Sequence, residues 1–329
     1  MPSLFREEPD VGRRWYCSAV HPGVIGSFKT IIAGLRPVRR RLWKAALRRE
    51  LAYLEGLGGG PEGQTLAAPS LSSVFRTDQR DFFFVLGNGD SVNELRPEDF
   101  DFIQAHFSVG LNAWPLHSFI PSVYALEVFG SDLDREPDEF DNLFRLALEK
   151  SKSAESEILL LRPPLESLGK VLELAGEFRG VTLVPYGRVN VPKVGTGRID
   201  AEVRFLLRYL RSSGASQGVL LDDGASVVRM VSFALLNGFK RIVLVGVDLN
   251  AADYFWYNSG FIASHGDFRK SVRREAGEGM DTLSASNRPF PVDVFLSSLG
   301  RVAKADFGAE ILVTSRSSRL AKSLGMFYF

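Results

Sequence analysis

From Asp81 onward the chain alternates apolar runs of strand length with stretches of helical period. The runs FFFVLG (82–87), FSVGLNAW (107–114), VYALEVF (123–129), EILLLR (157–162), VTLVPY (181–186), GVLLDDG (218–224), RIVLVGVDL (241–249) and EILVTS (310–315) predict strands. Helical periods cover 138–152, 165–178, 200–212, 225–237 and 292–302. Strands that are apolar on both faces and separated by helices imply a parallel sheet buried between helical layers. The predicted fold class is therefore α/β, a doubly wound, mostly parallel, Rossmann-like sheet over residues 76–329.

The first 75 residues read as a separate N-terminal helical extension. A helical pattern over 38–57 stops at Gly58-Gly59-Gly60-Pro61-Glu62-Gly63, the clearest linker in the chain. Within that pattern Arg36, Arg39, Arg40, Arg41, Lys44, Arg48 and Arg49 interleave with Leu42, Trp43, Ala46 and Leu47. A helix here has a basic face and an apolar stripe, so residues 36–49 suit either packing on the chain's own domain or peripheral contact with an anionic membrane.

In open parallel sheets, ligands sit beyond the carboxyl ends of the strands. The rule selects Gly87 to Ser91, Asn112, Glu127 to Asp134, Asp222 to Ser226 and Asp248 to Tyr257 as rim segments. The first is the most informative: strand 82–85 runs into Gly87-Asn88-Gly89, and Asp90 or Ser91 then caps a helix expected to start at Val92. Glycine permits close backbone approach, and a helix N-terminus offers free N–H groups to an anion, so the turn predicts a nucleotide or phosphate cradle. It is neither the G-x-G-x-x-G fingerprint, since Val92 stands at the third position after Gly89, nor a lysine-bearing P-loop.

Composition narrows the class. The 329 residues carry a net charge of +1, which gives no pull toward nucleic acid, and the single cysteine, Cys17, excludes a disulfide framework and a multi-cysteine zinc site. No uncharged apolar run is long enough for a bilayer span, and the acidic N-terminus is unlike a signal peptide, so the expected location is cytoplasmic, with the inner membrane face as the site of any contact by residues 36–49.

Candidate chemistry gathers late in the chain. Asp248 closes the strand RIVLVGVDL and precedes a loop crowded with Tyr254, Trp256 and Tyr257, groups able to hydrogen-bond a polar substrate or leaving phosphate, or to form an aromatic lid. His265, in the polar stretch ASHGDF, is the candidate general base. His106 and His117 flank a strand and His21 lies in the extension, which favours structural roles. Asp132-Leu133-Asp134 matches a D-x-D metal motif but continues into a charged run typical of a solvated helix start, and no His/Cys cluster indicates a metal. A G-x-S-x-G elbow is lacking, which argues against a serine hydrolase.

Three segments in this order, LGNGDSVNEL, VGLNAW and GASVVRMVSFALLNGFKRIVLVGVDL, resemble the bacterial sialyltransferases of glycosyltransferase family 42 and related transferases of CMP-activated nonulosonic or ulosonic (Kdo-like) acids. The likeness runs from Phe82 to Ser315. It implies transfer of a sialic acid or Kdo-like sugar from CMP to a surface-glycan acceptor in polysaccharide biosynthesis, with no obligatory cofactor or metal. Under that resemblance Gly87, Asn88, Gly89, Asp90 and Ser91 form the nucleotide turn, Asn112, Ser226 and Asn250 contact the nucleotide or donor, and Asp248 orients the site. Tyr254 and Tyr257 stabilise the leaving phosphate, and His265 deprotonates the acceptor. The chain departs from the family at Asp90, where the turn has proline, and at Asn250, where it has tyrosine. Other readings are a pterin diphosphokinase-like phosphotransferase and a non-catalytic nucleotide- or glycan-binding member.

Overall fold

The computed structural model describes residues 41–54, 80–127, 137–154, 157–161, 171, 173–174, 177–178, 181–250, 254–257 and 290–329. The chain forms two compact units, Met1–Ala45 and Ala46–Phe329. The glycine-rich stretch 58–63, the D-x-D pair, most of the helical period 165–178 and His265 lie outside the described residues.

A first helix, α1 (residues 41–54), places Leu47 and Leu54 on one stripe, and both are buried. The stripe faces the sheet at Gly187, where a Cβ would come within 2.9 Å of Glu50 Oε2 and 3.4 Å of Leu54 Cδ1. Arg48 and Arg49 are exposed; residues 36–40 lie outside the description.

Among the described residues nine strands build one sheet: β1 (Phe82–Leu86), β2 (Phe107–Leu111), β3 (Val123–Glu127), β4 (Glu157–Leu161), β5 (Leu183–Asn190), β6 (Val219–Asp222), β7 (Arg241–Val245), β8 (Glu310–Val313) and the two-residue β9 (Gly325–Met326). Their order is β6-β5-β4-β3-β2-β1-β7-β8-β9, and every pairing is parallel. The chain therefore builds outward from β1 to β6, returns across the sheet, and builds outward again on the other side. The single reversal lies between β1 and β7. Such a switch point opens a crevice at the carboxyl ends of its two strands, the usual ligand position in open α/β sheets.

Five further α-helices among the described residues are α2 (Pro97–Gln104), α3 (Pro137–Ala154), α4 (Ile199–Ser212), α5 (Ser226–Leu236) and α6 (Val292–Val302). Alternate residues of a strand point to opposite faces, and β1 shows that both faces are covered. Phe83 meets Phe233 of α5 with ring centroids 5.8 Å apart, while Phe82 and Phe84 meet Phe102 of α2 at 5.5 and 6.0 Å. All five residues of β1 and of β2 are buried, which is why these strands read as unbroken apolar runs. The result is a parallel sheet flanked by helices, compatible with a Rossmann-like fold. Asp200 on α4 receives Arg301 of α6 at 2.7 and 2.8 Å, tying the two helices together.

The expected helix from Val92 is not an α-helix. Residues Asp90–Glu94 form a short 3₁₀ turn, and α2 starts only at Pro97. The residue before a proline is pushed out of the helical region, and Arg96 accordingly holds φ −93 and ψ 163. The Asp99 side chain completes the start, its Oδ2 accepting the Arg96 amide at 2.9 Å. The run 241–249 likewise stops being a strand at Val245, because Gly246 takes φ +62 and Leu249 φ +50.

His117 shows how the rim is packed. Its ring sits 4.7 Å from Trp114 and 5.3 Å from Phe255, its Nδ1 accepts the Phe119 amide at 3.0 Å, and Lys150 of α3 donates to its carbonyl oxygen at 2.6 Å. Burial, reinforced by the Lys150 charge, pushes its pKa down from 6.5 to about 4. The folded protein therefore binds this proton more weakly than the unfolded chain. The stabilisation is complete above pH 6.5 and is lost as pH falls toward 4, with a slope of up to about 1.4 kcal/mol per pH unit. Urea titrations at pH 7 and pH 5 are expected to show a larger drop for wild type than for His117→Gln; equal drops would exclude His117 as the source.

Candidate functional site

The turn after β1 and the turn after β7 are built against each other. Beyond the last strand residues, the Gly87 amide donates to Val245 O at 2.7 Å and the Gly89 amide to Gly246 O at 2.8 Å. This approach leaves no room for side chains: a Cβ on Gly87 would lie 2.5 Å from Gly246 O, and one on Gly89 2.3 Å from Asp248 Oδ2. Both glycines are thus required by strand-to-strand contact at the switch point, a role the sequence pattern does not separate from ligand approach.

Asp248 occupies the head of the 3₁₀ turn. Its carboxylate, buried in the protein, accepts the Ser91 amide at 3.1 Å and the Ser91 hydroxyl at 2.5 Å. The N–H group expected to receive an external anion therefore holds the protein's own carboxylate. Asp90 points away: it is exposed and accepts Asn93 Nδ2 at 2.8 Å. Its charge is set against solvent and away from the turn's backbone.

The aromatic loop docks over this crevice. Tyr254 forms a bridge with Gly89, the Phe255 amide donates to Asn88 O at 3.0 Å, and Phe255 packs 5.6 Å from Trp114. Tyr254 stacks on Trp256 at 4.5 Å. Phe255 and Trp256 are buried while Tyr254 is half-buried, so one segment supplies both a roof and a tyrosine at its margin. Among the described residues Asn88 Oδ1, a buried atom, has no hydrogen-bond partner. Tyr257 ends the 3₁₀ turn Phe255–Tyr257. Asn250 is exposed and donates to Ser317 O at 3.3 Å, at the far side of β7.

A second group lies beyond β2 and β3. Asn112 follows β2 in the left-handed region, φ +48, a conformation asparagine tolerates better than most residues. Its Nδ2 donates to Ser226 Oγ at 3.2 Å, and Ser226, the first residue of α5, donates to Glu127 Oε1 at the end of β3. Below them Arg229 is fully buried. It bonds Ser226 Oγ at 3.1 Å, Asp222 Oδ1 at 2.7 Å and the Glu127 carboxylate. Arg188 of β5 reaches Asp222 from the solvent side at 3.3 Å.

Of the sequence-derived candidates, the structure therefore joins Gly89, Ser91, Asp248 and Tyr254 at the β1–β7 crevice, and Asn112 with Ser226 one strand away. Glu127, Asp222, Arg188 and Arg229 complete the second group and were not singled out as site residues. A signal for Arg229 exists: it is the lone charge in SVVRMVSFALL, a helix otherwise apolar on every side. A helix hydrophobic all round is buried, and a buried arginine needs carboxylates. Among the described residues, no group of three or more His, Cys, Asp or Glu side chains could hold a metal, and no helix is long and apolar enough to cross a membrane. No protein-family model and no curated protein matches the chain.

Proposed function

We propose that the protein is a glycosyltransferase that takes an acidic sugar, of the sialic acid or Kdo type, from a CMP donor. The observation that carries this reading is the gathering, at the carboxyl ends of adjacent parallel strands and beside the sheet's reversal, of the Gly87–Ser91 turn, Asn112, Ser226, Asp248 and Tyr254. These residues come from segments far apart in sequence, and they are the ones the sialyltransferase resemblance selects. The Tyr254 phenol would hydrogen-bond the departing phosphate, a task that preorganised donors can perform without a metal. His265, in the polar stretch that follows the aromatic loop, is assigned as the base that deprotonates the acceptor.

Asp248 refines the donor's orientation. A phosphate at the Ser91 amide would have to displace a buried carboxylate, so the turn supports the nucleotide through its backbone carbonyls and Asn88 rather than through an anion contact. Asn88 Oδ1, buried and without a hydrogen-bond partner among the described residues, would accept a hydrogen from the nucleotide's amino group.

Thermal-shift measurements with CMP, CDP, UDP, AMP and Mg·ATP test the reading. CMP at a hundred times its Kd is expected to stabilise the protein by about 2.7 kcal/mol, and a CMP-sugar is expected to release CMP in the presence of a glycan acceptor. Stabilisation by Mg·ATP but not CMP would replace the proposal with phosphotransfer. No response to any nucleotide would leave a scaffold without this donor site.

A further inference from the structure

We infer that Glu127, held in place by the buried Arg229, recognises the ribose hydroxyls of the nucleotide, an assignment that rests on the donor site proposed above. The Glu127 carboxylate stands at the carboxyl end of β3, two strands from the sheet's reversal. One oxygen, Oε1, takes the Ser226 hydroxyl and the Arg229 guanidinium. Among the described residues nothing donates to Oε2, and nothing donates to Oδ1 of the neighbouring Asn112, whose Nδ2 is committed to Ser226. The rim thus presents two adjacent acceptors on a fixed frame.

Acceptors call for a ligand with donors, and the charges decide which part of the donor fits. The positive charges of Arg229 and Arg188 are matched by Glu127 and Asp222, so the open edge of the Glu127 carboxylate faces a ligand without a spare cation beside it. A phosphate or a sugar carboxylate placed here would be repelled. A CMP-activated acidic sugar has one hydroxyl-rich part between the base and the phosphate, and that is the uncharged ribose. A carboxylate at a strand end is a recurrent ribose ligand in doubly wound folds, because its two lone-pair edges match vicinal hydroxyls.

Arg229 is a positioning residue in this scheme. It touches Glu127, Ser226 and Asp222 from below and reaches the ligand only through them. Glutamate at 127 would otherwise be free to turn into solvent, at the entropic cost of re-ordering on each binding event.

Calorimetric titration with CMP, 2′-deoxy-CMP and 3′-deoxy-CMP tests the assignment. Wild type is expected to bind CMP at least about tenfold more tightly than either deoxy nucleotide, the effect of a lost charge-assisted hydrogen bond. Glu127→Gln is expected to lose that preference while binding the deoxy forms as wild type does; Glu127→Asp, which keeps the charge for Arg229 and shortens the reach, is expected to behave the same way. Equal wild-type affinity for all three nucleotides, or a full ribose preference in both variants, would overturn the role of Glu127 and leave the donor site standing. If none of the three binds wild type, the donor site itself falls and this assignment with it. The wild-type comparison needs no variant, so a substitution that fails to fold does not rescue the idea.

Discussion

Replacing Arg229 by methionine is expected to destabilise the protein by about 3–5 kcal/mol, the usual consequence of removing one partner from a buried ion pair. Methionine matches much of the volume, so a cavity is a minor part of the loss. The main part is electrostatic: Asp222, fully buried, and Glu127, nearly so, would lose the buried guanidinium they share, and Arg188, which also reaches Asp222, is substantially exposed. Neutralising the carboxylates should therefore repair the damage. A triple variant, Arg229→Met with Asp222→Asn and Glu127→Gln, is expected to recover a large share of the stability, since uncharged groups carry no comparable desolvation cost. Urea unfolding of the single and triple variants checks this. A single variant within about 1 kcal/mol of wild type, or a triple variant that is no better than the single, would show that the network is not held together by its charges.

Gly246→Ala is expected to cost about 2–5 kcal/mol, with two separable causes. Gly246 holds φ +62, a region that costs an L-residue roughly 1–2 kcal/mol. A methyl there would also lie 2.4 Å from Val92 Cγ2 and 2.6 Å from Gly87 O, overpacking of a kind that costs about 1–3 kcal/mol. Retreat is opposed, because moving Gly87 strains the two hydrogen bonds, from the Gly87 and Gly89 amides, that join the turns. Gly308→Ala provides the control: its φ is +58, yet nothing lies within 4 Å of the added carbon. That variant should show the backbone cost alone. The difference in denaturation midpoint between the two measures the packing at the switch point, and equal midpoints would mean that the close approach of the turns is not energetically important. The Gly246→Ala protein should also weaken nucleotide binding more than the Gly308→Ala protein, because Asp248 and Ser91 lie on the segments that must shift.

These two sites differ in how far the sequence reveals them. The glycines around the crevice are conspicuous in sequence, but their reason is not. Gly87 and Gly89 follow a strand in the way ligand-cradling glycines do, and only the proximity of Gly246 and Asp248, over 150 residues later, identifies strand-end contact as what excludes a side chain. The same distance hides the fate of the Ser91 amide. Local chemistry marks it as an anion site; a carboxylate from β7's end fills it. Asp90, which replaces the proline of the resembling family, turns its side chain to Asn93 and solvent.

Arg229 stands between these extremes. Its presence inside an apolar helical period signals a buried charge, yet its partners come from β3 and β6 and from its own helix. The 3₁₀ turn at Asp90–Glu94 could have been read locally, since Pro97 forbids a helix running through Arg96. The two-residue β9 could not: a strand so short has no period, and it exists because β8 offers it an edge.

What the sequence determined by itself is the class of fold and the address of its rim. Strand-length runs that are apolar on both faces can be buried only between helices, and parallel strands so connected place their loops at one edge. What tertiary structure alone decided is the strand order, with its reversal between β1 and β7, and therefore which rim segments meet. Periodicity records whether a residue faces water but carries no information about which distant residue it faces. The pairing of Ser91 with Asp248, and of Glu127 with Arg229, appears only when the chain has closed on itself.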